Sequence, residues 1–234
     1  MNRPARPVLD EAAIEQLPAP VARSLRRSGV LGRPVPQRVS LRQQGEILLR
    51  GRWFPFTADE SYTLEPPSFE WNAAVKLAGV PLARAKDSLA DGRGGMHVRL
   101  LNLFSVVDAT GPEMDQGALM RWLNETMWFP QVWATSVISW ESVDDLRAIG
   151  RVSAGDQSVE AEFIFDAEGR LVDFGADRYR IDGETAALVP WRTPLSDHGT
   201  FDGVEVPVRG CALWELEAGD LEYIRLQITE LRYG

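Results

Sequence analysis

The chain has 234 residues, 44% hydrophobic and 25% charged, with a formal net charge of −9. That length can bury roughly 70% of the unfolded surface, so a sizeable core is available, and the composition is that of a globular protein. Two histidines and one cysteine, Cys211, exclude an internal disulfide, a cysteine-based zinc site and a His-rich metal centre; the acidic balance argues against bulk nucleic-acid binding, and no apolar run reaches the roughly 20 residues that span a bilayer.

The charge is unevenly spread. Residues 1–52 hold ten arginines against four acids, a balance of +6, so the remainder carries −15. One reading is an Arg-rich surface helix in a chain whose only lysines are Lys76 and Lys86. The other is peripheral contact with an anionic membrane through the Arg-rich N-terminus. No apolar segment follows the first positive charges, so no secretory signal is expected and a cytoplasmic location is.

In chain order, Asp10 caps a first helix, DEAAIEQL, by offering its carboxylate to exposed backbone N–H groups. Pro18 and Pro20 separate it from a second, PVARSLRRSG, with Arg26 and Arg27 at the negative end of its dipole. After the connector GRPVPQ, strand signals dominate: VSLRQQGEILLR, SYTLE and SFEWNAAVKLAG, where Phe69, Trp71, Ala73, Val75 and Leu77 fall on one face. PLARAKDSLA, with Asp87 in its middle, runs through DGRGG into one long strand, MHVRLLNLFSVV, as a hairpin. The glycine-rich turn leads into strand rather than helix, so it is read as a β-turn and not a phosphate loop.

A helix then interrupts the sheet, opened by Pro112 and closed before Pro130. At about 100° per residue, Met114, Ala118, Arg121, Glu125 and Trp128 share one side. Leu119, Leu123 and Met127 share the other, with Trp122 and Phe129 between. Such a helix is apolar on nearly its whole circumference and must be covered on both sides. TSVISWES, LRAIGRVS, QSVEAEFIFD, RLVDFGADRYRI, TAALVPW, ALWELE and LEYIRLQITEL follow as strands, with turns at 154–156, 167–169, 182–184 and 218–220. Residues 192–203 read as a loop. About eleven strands without βαβ alternation mean an antiparallel sheet that curls, because its twist accumulates.

Several residues could carry chemistry. Arg121 and Glu125 form an i,i+4 pair in the weaker order for local stabilisation, so a role inside a partly dry cavity competes with a structural one. The Arg fork suits carboxylate or phosphate, and burial could tune Glu125 as a base. Aromatic rings are commonest as core, but a subset can line a small-molecule pocket. Asp87 is solvent-facing or a further polar group in the cavity. His198 beside Asp197 lacks a nucleophile elbow, so a hydrolase triad is not expected, and Cys211 reads as inert core.

LPAPVARSLRRSG, GRWFPF, RWLNETMWFP, SWES and the ending WELEAGDLEYIRLQITELRYG resemble a family of bacterial proteins with no assigned activity. Its members carry a helix motif R-x-x-x-E-x-x-W-x-P, here Arg121, Glu125, Trp128 and Pro130. The strand layout is more remotely similar to the lipoprotein-localisation factors, which implies an incomplete barrel with an apolar interior.

The resulting expectation is a mainly β (α+β) chain. N-terminal helices in 1–36 pack on a single antiparallel β domain, 37–234, shaped as a half-barrel or incomplete barrel with the inserted helix 112–128 over its concave side. The expected function is binding of an apolar or amphiphilic, lipid-like small molecule there. Arg121 and Glu125 would hold its head, Trp71, Trp122, Trp128 and Trp140 would form walls, and Asp87 would be an added polar group. No cofactor, metal or catalytic set is expected. The alternatives are an enzyme using Glu125 or Asp87 as acid or base, and a module that docks on a membrane or a protein.

Overall fold

Strand follows strand through short turns, so most neighbours in the chain become neighbours in the sheet. The computed structural model describes residues 6–77, 80–100, 104–183 and 185–234. Helices α1 (Glu11–Ile14) and α2 (Ala19–Ser28) come first. Strands β1 (Arg38–Leu49), β2 (Arg52–Thr63), β3 (Ser68–Leu77), β4 (Val80–Ala90), β5 (Arg93–Leu100) and β6 (Phe104–Ala109) form a meander. Helix α3 (Pro112–Glu125) and two 3-10 turns, Thr126–Trp128 and Pro130–Ala134, lead to β7 (Ser139–Ser142), β8 (Arg147–Ala154), β9 (Gln157–Phe165), β10 (Leu171–Asp182) and β11 (Thr185–Arg192). A small ribbon, β12 (His198–Phe201) with β13 (Val204–Pro207), precedes β14 (Arg209–Trp214) and β15 (Leu221–Tyr233).

Thirteen strands make one antiparallel sheet in the order β6-β5-β4-β3-β2-β1-β15-β14-β11-β10-β9-β8-β7. Its two arms join where the first strand meets the last, from Val39 opposite Tyr233 to Ile47 opposite Ile224. Twist accumulated over so many strands curls the sheet. The arms curl far enough for the β4–β5 turn to touch the β8–β9 turn: a Cβ on Gly92 would fall 2.7 Å from the Ala154 carbonyl oxygen. Gly92 also holds a φ of 75°, which glycine adopts without steric cost. Helix α3 lies in the concavity, packed on β4 and β5 of one arm and on β8, β9 and β10 of the other. The architecture is a β half-barrel around a helix, as the sequence pattern predicts. No helix among the described residues is long and apolar enough to cross a membrane.

Side-chain hydrogen bonds tie α3 to both arms. Asp115, 1% exposed, accepts from the Gly94 N–H at 2.7 Å and from Arg93 at 3.0 Å. Asn124 donates to the Thr193 hydroxyl at 2.7 Å, and Gln116 to the Asp177 carbonyl at 3.1 Å. The DGRGG segment is therefore more than a turn: it is the seat on which the helix docks. At the N-terminus, Asp10 caps α1 by accepting from the Ala13 N–H, and Ile14, Val21 and Leu25 are fully buried.

The structure departs from the sequence reading in four places. Strand β2 does not begin at SYTLE: it starts nine residues earlier, at Arg52, and takes in most of GRWFPF. The single strand expected over MHVRLLNLFSVV is two, β5 and β6 folded back with Met96 opposite Ala109; residues 101–103 lie outside the described ones. The loop expected at 192–203 contains β12, closed onto β13 by a turn in which Asp202 and Gly203 both have positive φ. Helix α3 ends at Glu125 instead of Trp128, because the Thr126 hydroxyl donates to the Leu123 carbonyl at 2.7 Å and the chain tightens into a 3-10 turn. Residues 1–5 of the basic stretch, 78–79 at the end of SFEWNAAVKLAG and 184 of the DGE turn also lie outside the described residues.

Candidate functional site: a cavity under helix α3

A cavity of about 460 Å³ lies between α3 and the curled sheet. Met114, Ala118, Arg121, Glu125 and Trp128 form its floor, the same five residues that share one side of the helical wheel. Phe56, Trp71 and Val75 wall it on the β1 arm, and Trp191, Trp214 and Tyr223 on the other. Leu49 and Ile181, 38% and 43% exposed, stand at its rim.

The polar part of the floor centres on Arg121. Its guanidinium donates to Glu60 at 2.8 Å, to Asp87 at 2.7 Å and to Glu125 at 2.9 Å. It also lies 4.9 Å above the Phe69 ring and 5.0 Å above that of Trp71, where the ring quadrupole favours a cation. Gln43 completes the shell: it donates to Glu60 at 2.8 Å and accepts from the Trp71 indole at 3.0 Å. All three carboxylates are at least nine-tenths buried. One planar fork thus serves three acids, a task suited to Arg and not to Lys.

Burial dominates the titration of this cluster. It holds the Glu60 carboxyl well above the usual carboxylate range, against the pull of Arg121, and Glu125 beside it adds to the rise. Burial also raises Glu125, opposed by Arg121. Of the two glutamates, Glu60 is the more strongly raised, so it is the first to take up a proton. Burial pushes the neighbouring Tyr62 phenol up as well.

A pH dependence follows. Glu60 is protonated more readily in the folded chain than in the unfolded one. Its contribution to stability is complete below the ordinary value of 4.5 and is lost as pH rises through the folded value. His198, whose pKa burial lowers, acts in the opposite sense, so the comparison needs a variant. The stability of Glu60→Gln, measured by thermal melting, is expected to fall less between about pH 5 and about pH 8 than that of the parent. Equal falls in the two proteins would show that no proton is held on Glu60.

The expected site residues divide. Arg121, Glu125, Asp87, Trp71 and Trp128 line the cavity. Trp122 does not: it is fully buried in solid packing, donating to the Thr63 carbonyl and tilted on Phe129. Trp140 lies outside the cavity too, edge-on to Phe163 at 4.9 Å and donating to the Trp133 carbonyl. The role expected of Arg121 also changes. Its fork is occupied by protein carboxylates, so it holds the wall together and does not present a free fork to a ligand head. Glu60 and Gln43 are members that the sequence reading missed. Their signal was available: Phe56, Ala58, Glu60 and Tyr62 alternate inward on β2, and Val39, Leu41 and Gln43 on β1. Cys211, read as core, instead lines the cavity half-exposed. The N-terminal arginines are largely spoken for: Arg26 pairs with Glu11, Arg27 with Glu205, and Arg33 donates to the carbonyls of Gly29 and Asp202.

The model of a family of unknown function, DUF6544, matches residues 7–226. The chain belongs to that family. The family resemblance drawn from the sequence therefore holds. No curated protein matches this DUF6544 chain. Among solved structures, it is similar to a DUF1329 family protein from Desulfovibrio piger, with 12% identity, a TM-score of 0.50, and coverage of 93% of this chain and 94% of that one. It is also similar to a LolA superfamily protein from Nitrosomonas europaea, with 10% identity, a TM-score of 0.45, and coverage of 85% and 87%. The first of these likenesses concerns the fold alone, and it covers nearly the whole of both chains.

Proposed function

We propose that this protein binds an apolar or amphiphilic, lipid-like small molecule in the cavity under α3. The carrying observation is the cavity itself, about 460 Å³ with mostly apolar walls between a helix and a sheet that both have apolar faces to bury. Protein interiors close-pack and leave few voids larger than a water molecule, and ligand sites combine apolar walls with a few fixed polar groups. The acid–base alternative is less well supported, because Glu125 and Asp87 each contact Arg121 and neither is a lone carboxylate.

Ala85→Trp tests the reading. Ala85 is a half-buried strand residue in the cavity wall, so an indole there fills the space from a rigid element. Binding of dodecanol, followed by intrinsic tryptophan fluorescence, is expected to weaken at least about tenfold, which is the loss of about 1.4 kcal/mol, while the melting temperature changes little. Undiminished binding would place the ligand elsewhere.

A second reading concerns docking on an anionic membrane, and one observation favours it. Arg84 and Arg99 sit directly opposite each other on β4 and β5, with exposed side chains. Like charges so placed destabilise a sheet. Neither makes an ion pair among the described residues, nor do Lys76, Arg50 and Arg52 on the neighbouring strand ends, beside exposed Leu49 and Val80. Flotation with phosphatidylglycerol vesicles at low salt is expected to carry the protein up, and salt to release it. Equal recovery with phosphatidylcholine vesicles counts against this surface.

A further inference from the structure

A second polar spot faces the cavity from β10 and β15, whereas the Arg121 cluster draws its sheet carboxylates from β2 and β4. Of the arginines that line the cavity, Arg121 is occupied by three carboxylates and Arg209 pairs with Asp197 at 3.2 Å. Arg178 also lines it and has no carboxylate partner among the described residues. The structure holds this guanidinium rigidly all the same. It stacks 4.7 Å above the Trp191 ring, and its Nε donates to the Gly117 carbonyl at 3.1 Å. The guanidinium lies close over the helix at Gly117, where a Cβ would be 3.6 Å from Arg178 Nε, an ordinary van der Waals contact.

Tyr223 completes the arrangement. Its hydroxyl oxygen accepts from the Trp191 indole at 3.0 Å and lies 3.4 Å from Arg178 Nη1, which also donates to it. Indole and guanidinium nitrogens can only donate. The phenolic hydrogen of Tyr223 is therefore left without an acceptor in this pair of contacts, and its ring is fixed by stacking on Trp214 at 5.9 Å and 23°. The Nη2 hydrogens of Arg178 are likewise not used by any carboxylate among the described residues. A fork and a hydroxyl, both donors, both braced, converge on the cavity wall.

We propose that Arg178 and Tyr223 form the head-group subsite of the cavity, and that its ligand bears an oxyanion, a carboxylate or a phosphate, at the end of an apolar body. The inference rests on the reading of the cavity as a ligand site. Planar guanidinium donors match both oxyanions. The other polar spot excludes them. Three carboxylates meet one guanidinium, so the Arg121 cluster keeps two net negative charges, and still one when Glu60 is protonated. Asp87 Oδ1 there is a buried acceptor without a donor. An anionic head is thus attracted beside β10 and β15 and repelled beside β2 and β4, which sets the orientation of the bound molecule.

Isothermal titration with dodecanoate, dodecyl phosphate, dodecanol and dodecylammonium, each below its micelle concentration, separates head from body. The two anions are expected to bind at least about tenfold more tightly than dodecanol, the range of a hydrogen bond to a charged group. Whichever anion binds more tightly assigns carboxylate or phosphate. Arg178→Met is expected to remove this preference, weakening the two anions at least about tenfold more than dodecanol. Tyr223→Phe, a milder change that deletes only the hydroxyl, is expected to weaken the anions several-fold and dodecanol less. If dodecanol or dodecylammonium binds as tightly as the anions, the head-group assignment is wrong and the cavity reading survives. If no member of the series binds, both fail.

Discussion

Replacing Arg121 with methionine is expected to destabilise the fold by about 3–5 kcal/mol, the cost of removing one partner from a buried ion pair. Methionine keeps most of the length, so the loss is one of charge and not of volume. Glu60, Asp87 and Glu125 would remain at least nine-tenths buried with no cation among them. Unfolding in urea, extrapolated linearly to water, measures the change. Arg121→Lys is expected to fall in between, since one ammonium cannot present a planar fork to three acids. The quadruple change Arg121→Met with Glu60→Gln, Asp87→Asn and Glu125→Gln is expected to recover much of the loss, because no unpaired charge is then buried. A single Arg121→Met loss below about 1 kcal/mol would mean that water reaches the cluster and screens it, as for a surface pair.

Gly94→Ala is expected to lower stability by about 2–3 kcal/mol through overpacking. A Cβ at Gly94 would fall 2.3 Å from the Met114 carbonyl oxygen and 2.8 Å from the Ala118 Cβ. Both contacts belong to α3, one of them rigid backbone, so the helix must move away from β5. That shift also strains the 2.7 Å bond from the Gly94 N–H to Asp115. Because Met114 and Ala118 are part of the cavity floor, ligand affinity is expected to fall together with stability. Gly175→Ala is the control: nothing lies within 4 Å of its Cβ position, and a change within about 0.5 kcal/mol is expected. Equal effects at the two positions would show that the close seat of α3 on β5 contributes nothing particular.

How far the site was legible depended on whether its signal was local. The wheel of α3 placed Met114, Ala118, Arg121, Glu125 and Trp128 together, and they do share the cavity floor. The same wheel could not place Trp122. On a helix that is apolar all round, periodicity does not say which apolar side meets packing and which meets space. Trp140 sits in a four-residue edge strand, too short for alternation to declare a face. Glu60 was readable in principle from the inward run of Phe56, Ala58 and Tyr62. It was lost because the strand seemed to begin at Ser61, whereas β2 begins at Arg52. The +6 of the N-terminal stretch left two readings open, a surface helix and a basic arm; Arg27 finds Glu205 on β13, a partner 178 residues away that no local pattern announces.

Turns, caps, alternation and helical period act over a handful of residues, so the sequence by itself determined the antiparallel hairpins, the helix that interrupts them and the need to cover that helix on both sides. The half-barrel followed as well, since so many twisted strands must curl. Only the tertiary structure decided which carboxylates gather on Arg121, from β2, β4 and α3, and which donors stand together on Arg178 and Tyr223, from β10 and β15. The physical reason is that curl is a sum over thirteen strands: each adds a small rotation, and the distance across the concavity, with whatever space it leaves, is set by the total and by no single segment.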